Sequence, residues 1–272
     1  MSSSRNLQAR FGPGAVPAAF VAVIVALMAT LLAFSQARAA PASGEPTSPV
    51  RWSIGLGYLR YQRPYIGKDY WNRMIPLFNV NERHFYVHGL NFGWHAWRHG
   101  NQSLDIIARP DAMHYNASEN PALDGMTTKL ATVMAGLAWR WNFQQHLSLT
   151  TRALADLLRR NDGETLAVSL LSPWRTGAWF FRPSVSLEWQ SSNYVDYYFG
   201  VTQAEAQPGR PAYTGKATLN ENAGLTFGRE LGRHVAAMAG AYWTHYGSGI
   251  TESPIVGHTS TLSFLAGLYF HF

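Results

Sequence analysis

The chain contains no cysteine, which excludes a disulfide scaffold, thiolate metal sites and a cysteine nucleophile. Charge is scarce as well. Asp, Glu, Lys and Arg make up 14% of the 272 residues, against roughly 25% in an average soluble domain. Apolar residues are plentiful but dispersed, and the mean hydropathy of −0.14 excludes a bundle of membrane-spanning helices. No Gly-x-Ser-x-Gly elbow, P-loop or His-Glu-x-x-His motif occurs, so nothing points to an enzyme of those classes. The formal charge of +6 rests partly on the first 40 residues, which hold Arg5, Arg10 and Arg38 and no acid. The remainder carries 19 basic against 16 acidic residues. That balance, with no basic stripe, argues against nucleic-acid binding.

The N-terminus reads as a signal peptide. Arg5 and Arg10 precede an uncharged run from Ala15 to Phe34, and Ala37-Arg38-Ala39 supplies a small-x-small cleavage site. Residues 1–39 are therefore expected to be removed after Ala39. An uncleaved anchor is the rival, because 20 apolar residues could just span a bilayer. Residues 40–50, rich in Pro and Ser, form a leader without periodicity.

From residue 51 onward the sequence alternates with a period of two. Near the C-terminus Leu262, Phe264, Ala266, Leu268, Phe270 and Phe272 fall on one face. Thr261, Ser263, Gly267, Tyr269 and His271 fall on the other, interrupted only by Leu265. Trp179, Phe181, Pro183, Val185, Leu187 and Trp189 likewise oppose Arg182, Ser184, Ser186, Glu188 and Gln190. Successive side chains of a strand point to opposite faces, so this is the pattern of a membrane barrel, apolar outside and polar or small inside. Ten candidate strands follow, at about 51–61, 84–97, 103–114, 127–142, 146–157, 164–171, 178–190, 218–229, 234–246 and 259–272, and twelve are possible. The expectation is an all-β, antiparallel up-and-down barrel of the outer-membrane type over 51–272. Connection lengths agree with it, since outside connections of such barrels are long and periplasmic ones short. The stretches 62–83, 115–126, 191–217 and 247–258 each exceed every expected internal turn; only 158–163 is short. A periplasmic β-sandwich also alternates, but would not place Trp94, Trp139, Trp141, Trp189 and Phe272 at strand ends on the apolar face. There they suit an aromatic girdle.

Parity puts Arg109, Arg140, Arg152, Arg182, Asp105, Asp156 and Glu188 on the inner face. Unpaired charges in a narrow bore are costly, so mutual ion pairing is expected. Two readings stay open: a charged constriction for small solutes, or a salt-bridged plug. His95 also points inward, where a lone histidine is ordinarily a hydrogen-bonding filler. His84 and His88 are too far apart along a strand to share a metal ion. No cofactor or metal site is expected. The 191–217 connection concentrates Tyr194, Tyr197, Tyr198, Phe199 and Tyr213. These aromatics either recognise a partner or fold over the mouth.

The same segment carries a resemblance. Tyr197-Tyr198-Phe199-Gly200-Val201, then Glu205-Ala206, then Arg210-Pro211-Ala212-Tyr213 is similar to a motif of the MipA/OmpV family of Gram-negative outer-membrane proteins. Ser253-Pro254-Ile255-Val256, Pro76-Leu77-Phe78 with Arg83-His84-Phe85-Tyr86-Val87, and Leu123-Asp124-Gly125-Met126 with Ala135-Gly136-Leu137 follow in family order. Phe199, where a third Tyr is common, and His271, where a basic residue is common, depart from the pattern. The resemblance implies an outer-membrane barrel in contact with lipid. For the MipA branch it implies a non-enzymatic scaffold joining a lytic transglycosylase to a penicillin-binding protein in murein growth. Other members of the family are surface antigens, adhesins or envelope-stress proteins. On this reading Tyr197, Tyr198, Phe199, Gly200, Glu205, Arg210, Tyr213, Ser253 and Pro254 are candidate interaction residues. Phe272 is expected to serve as the barrel-assembly signal. A narrow pore for small solutes remains the alternative.

Overall fold

The computed structural model of the protein describes residues 51–67, 69–144 and 147–272; the expected signal peptide and leader lie outside the described residues. Strands β1 (Arg51–Gln62), β2 (Tyr70–Asn81), β3 (Phe85–His88), β4 (Asn91–His99) and β5 (Gln102–Asp111) run first. They are followed by β6 (Thr132–Gln144), β7 (Leu147–Asp156), β8 (Glu164–Leu171), β9 (Trp174–Thr176) and β10 (Trp179–Gln190). Helix α1 (Ser192–Phe199) precedes β11 (Thr218–Glu230) and β12 (Val235–His245); α2 (Ser248–Thr251) precedes β13 (Ser260–His271).

Sequential strands pair antiparallel, and β13 returns to β1 with Ser53 opposite His271 and Gly57 opposite Gly267. The sheet is a closed barrel. β8 and β9 are halves of one stave, both paired with β10 and interrupted at Ser172–Pro173. Twelve staves result, which answers to the upper of the two counts the alternation allows. The difference from ten arises early in the chain. β2 occupies what reads as a long loop, and the expected strand 84–97 is two short strands joined at Gly89 and Leu90. Gly89 has φ +61°, a left-handed conformation that glycine adopts without a Cβ clash.

Alternation turns one face to the surroundings. On β1, Trp52, Ile54, Leu56 and Tyr58 are all exposed while Ser53 is buried; on β13, Leu262, Phe264, Leu268 and Phe270 are exposed while Thr261 and Ser263 are buried. Large apolar groups outside and polar groups inside are stable only with hydrocarbon around the barrel. That inversion excludes a soluble sandwich. Among the described residues no helix is long and apolar enough to cross a membrane. Both ends of the barrel sequence meet at one rim, where the Phe272 amide donates to the Trp52 carbonyl at 3.0 Å. In single-chain bacterial barrels that rim is periplasmic.

Near this rim Trp52, Trp94, Trp97, Trp174, Trp179 and Phe272 are exposed on the outside and form an aromatic girdle. Trp141 and Trp189 are not part of it, since both are buried. Trp141 packs between Trp139 and Phe143, with ring centroids 6.3 and 5.0 Å away. Along the β13–β1–β2 seam the inner face is small. A Cβ on Gly267 would lie 2.6 Å from Leu77 Cδ1, and one on Gly57 would lie 3.0 Å from the same atom. Leu77 fills the space these glycines leave.

The two faces respond differently to charge. Leu225→Arg, on the lipid side near the middle of β11, is expected to destabilise the barrel by about 2–4 kcal/mol. Thr226→Arg, one residue on and facing the lumen, is expected to cost less than half of that. Equilibrium unfolding by denaturant in lipid vesicles measures both.

Candidate functional site

The extracellular connections fold over the mouth. Ser191 caps α1 by accepting from the Tyr194 amide, and Tyr194, Val195, Tyr198 and Phe199 bury the inward side of the helix. These pack with Tyr65 from the first loop, Met113, Tyr115, Leu123 and Met126 from the third stretch, and Tyr246, Ile250 and Ile255 from the last. Tyr65 and Tyr115 meet edge to face at 4.9 Å. Three of the buried hydroxyls find partners, as buried polar groups usually do, whereas that of Tyr115 has none among the described residues. Tyr194 donates to Asp111 at 2.6 Å, Tyr198 to the Leu130 carbonyl at 3.2 Å and Tyr65 to the Tyr198 carbonyl at 3.2 Å. Burial holds the Tyr194 and Tyr198 hydroxyls well above their ordinary pKa, so they stay protonated as donors.

This cap takes up the loop residues singled out by the sequence. Tyr198, Phe199, Glu205, Arg210 and Ser253 are buried. Ser253 donates to the Phe199 carbonyl at 2.6 Å, and Arg210 donates to the carbonyls of Glu205 and Asp124, each at 2.9 Å. Pro254 is partly covered. Tyr197, Gly200, Glu205 and Tyr213 come together on the outer side of the cap, around a polar cleft of about 400 Å³ that also involves Lys129 and Arg160. The Lys129 ammonium lies 4.9 Å from the Tyr197 ring centre. The aromatics of the 191–217 connection therefore divide into a buried layer over the mouth and a thin rim around this cleft.

Glu205 ties two loops. Its carboxylate accepts from the Thr127 amide at 2.7 Å and from the Thr202 amide and hydroxyl at 3.0 and 2.9 Å. Burial opposes its ionisation, but these donors outweigh burial and bring its pKa from 4.5 down to about 2.

Inside the barrel the expected ion-pair network does not form. Among the described residues none of Arg109, Arg140, Arg152 and Arg182 makes an ion pair with Asp105, Asp156 or Glu188. Each acid has another partner. Asp105 accepts from His95 at 2.7 Å and Tyr86 at 3.3 Å. Asp156, at the top of β7, accepts from Thr132 and from the amides of Leu158, Arg160, Asn161 and Asp162, so it organises the 157–163 turn. Glu188 accepts from Gln190 at 3.0 Å. The arginines lean on neutral groups: Arg140 on the Tyr86 ring, Arg182 on the Phe180 ring, and Arg152 on the Ser169 hydroxyl at 3.4 Å. Twelve staves leave a wider bore than ten, and water can solvate charges that a narrow one would force together.

The periplasmic half of the bore is a cavity of about 1060 Å³, reaching the rim at Asn81, Glu230, Arg233 and His271. Phe272 stands at that rim, 77% exposed, with its ring 5.1 Å from that of Phe270. Among the described residues no group of three or more His, Asp or Glu side chains could hold a metal ion.

A closed barrel with this alternation and this motif-bearing cap has known relatives. The MltA-interacting protein MipA family matches residues 54–272. The chain belongs to that family. It is 24% identical to the MltA-interacting protein of Escherichia coli K12 over 238 residues, covering 86% of this chain and 95% of the relative. It is 25% identical to the putative outer membrane protein YiaT of the same strain, covering 81% and 90%. OmpV of Vibrio cholerae is 26% identical over 67% of this chain and 77% of its own. Among solved structures, an outer-membrane channel of Pseudomonas putida F1 aligns over 86% of this chain and all of its own, with a TM-score of 0.41 and 10% identity. This MipA-family chain is an outer-membrane protein.

Glu205 gives the cap a pH dependence with a defined sign. A depressed folded-state pKa contributes stability that is complete above about pH 4.5 and fades as pH falls toward 2. Hydrogen exchange at the Thr127 and Thr202 amides, corrected for intrinsic rates, should lose protection over that window. Glu205→Gln should weaken protection already at pH 7. It should also open Arg210 to trypsin while the barrel stays folded.

Proposed function

We propose that this MipA-family protein is a non-enzymatic interaction barrel that brings murein-lytic and murein-synthesising enzymes together at the periplasmic rim. The observation that carries the reading is an asymmetry: loops seal the extracellular mouth, whereas the periplasmic end is open and rich in exposed recognition groups. There the β9–β10 hairpin offers Arg175 between the girdle residues Trp174 and Trp179, and the β11–β12 turn offers Leu231 and Arg233. Trp and Arg are the side chains most often found at binding hot spots. The short turns of this rim, rather than the loops, are then the docking surface. A lytic transglycosylase and a penicillin-binding protein are the partners, which the name of the E. coli relative supports for the first. Delivery by a signal peptide cleaved near Ala39 belongs to the same reading.

A photoreactive amino acid at Arg175 or Arg233 in intact cells should crosslink to murein enzymes, and one at Gln203 on the extracellular side should not. Absence of murein enzymes from the rim adducts overturns the reading. The rival, a conducting pore, is at odds with a cap of thirteen buried residues. Purified protein in planar bilayers should show no regular single-channel steps, and removal of residues 192–214, which carry five of the thirteen, should produce them. Regular steps from the intact protein would restore the pore.

A further inference from the structure

The barrel wall is not continuous. β1 pairs with β2 along its whole length, from Gln62 opposite Tyr70 to Arg51 opposite Asn81. On its other side β2 meets β3 only at Asn79, Val80 and Asn81. β4 meets β5 no higher than Ala108, although β5 continues with β6 as far as Asp111. The two staves between β2 and β5 thus stop at the Gly89–Leu90 turn. Above that turn the edges of β2 and β5 face an opening two staves wide, each stave about 5 Å across.

Both edges of the opening are written into the sequence. The Gly89 amide donates to the Phe78 carbonyl at 2.6 Å, so Phe78, and with it Pro76, Met74 and Asn72, turn their backbone groups toward the gap. Pro76 has no amide hydrogen to offer there. On the far side the Leu157 amide donates to the Val133 carbonyl at 2.8 Å, which turns Val133 toward β7. Its partner Pro110 therefore turns toward the gap, again without a donor. Proline sits in sheets where no ladder partner is needed. A lintel closes the top: Arg63 donates to the His114 carbonyl at 2.7 Å, and the Trp71 and His114 rings meet at 5.4 Å.

The opening is framed outside by exposed Met74, Leu90 and Phe92, side chains that face lipid. Open sheet edges do not persist in hydrocarbon unless they line a polar or water-filled space, and such a space lies behind this one. The periplasmic cavity is bordered by the sill residues Gly89 and Leu90 and by Leu77 and Leu265 on its apolar wall. His88 and Arg182 line the same cavity. Arg140 and Arg182 rest against the Tyr86 and Phe180 rings, and no carboxylate among the described residues pairs with either arginine.

We propose that this window admits a single-chain amphiphile with an anionic head from the bilayer into the cavity, its head between His88 and Arg182 and its chain along Leu77 and Leu265 toward the gap. Charge complementarity sets the head, and a volume at the upper limit of small-molecule pockets limits the ligand to one chain. The inference is independent of any protein partner at the rim.

The test reconstitutes the full barrel in phosphatidylcholine vesicles with probes carrying a diazirine at the chain end. The probes are a fatty acid, a lysophosphatidylglycerol and an uncharged monoacylglycerol. Adducts in 70–81 and 89–99 are expected from one or both anionic probes, and whichever labels more strongly tells carboxylate from phosphate recognition. The uncharged probe should mark only outer-face residues. Arg182→Gln should lower anionic labelling at least tenfold while heat-modifiable mobility reports a folded barrel. Because the chain has no cysteine, Leu90→Cys can be blocked with a bulky maleimide after folding, and this should abolish labelling of the inner wall. Labelling indifferent to head charge, to Arg182→Gln or to the blocked sill would overturn the proposal.

Discussion

The constraint on which everything else rests is that backbone amides in hydrocarbon must be paired within the protein. An antiparallel sheet meets it only by closing on itself, and here closure joins β1 to β13, the two ends of the barrel sequence. The seam is made of small residues. Gly57 faces Gly267, and Leu77 reaches over both from β2, so the backbones approach closely and a side chain from a third strand restores the packing. A larger group at either glycine would push Leu77 away and strain the contact that completes the ring.

Where the ladder is interrupted, the chain carries proline. Pro183 accepts from the Ser172 amide at 3.0 Å, so its donor-less side meets the break between β8 and β9. Pro76 and Pro110 do the same on opposite edges of the window. Three prolines within strands would be costly if distributed at random, because each removes a ladder hydrogen bond. All three lie where the barrel has none to lose. The gap between β2 and β5 is thus a property of the sequence, and the cavity behind it inherits an exit that the capped mouth does not provide.

Alternation made the barrel, its orientation and most of its strands legible, because lipid outside enforces period two without compromise. It hid β2, since Ile75 and Leu77 on the inner face are as apolar as Met74 and Phe78 on the outer one. The inner leucine is there to fill the space of the seam glycines, a relation between strands that no single-strand pattern records. The β3–β4 hairpin left a trace that can be read. Tyr86 and His88 face inward at even positions, whereas Asn91, Gly93 and His95 face inward at odd ones, and a single strand does not change phase in this way. Helix α1 was also visible in principle, as Tyr194, Val195, Tyr198 and Phe199 recur at helical spacing behind Ser191. The ion-pair network was not, because parity assigns a face but not a distance. Asp105, Asp156 and Glu188 share the inner wall with four arginines and still find nearer partners, Asp105 on β3 and β4, Asp156 mainly in its own turn and Glu188 on its own strand.

The cap and the wall are held by different forces. The wall depends on ladder hydrogen bonds and lipid contact. The cap is a small apolar core whose thirteen buried residues come from several separate connections and are tied by loop hydrogen bonds such as those of Glu205 and Arg210. Units stabilised by separate sets of contacts can open separately, so loosening the cap need not unfold the barrel. The structure therefore sets its two sides independently. The outward face is closed by packing between loops. The inward face, with its rim, cavity and side window, is fixed by the register of the barrel itself, so its groups keep their places when the loops loosen.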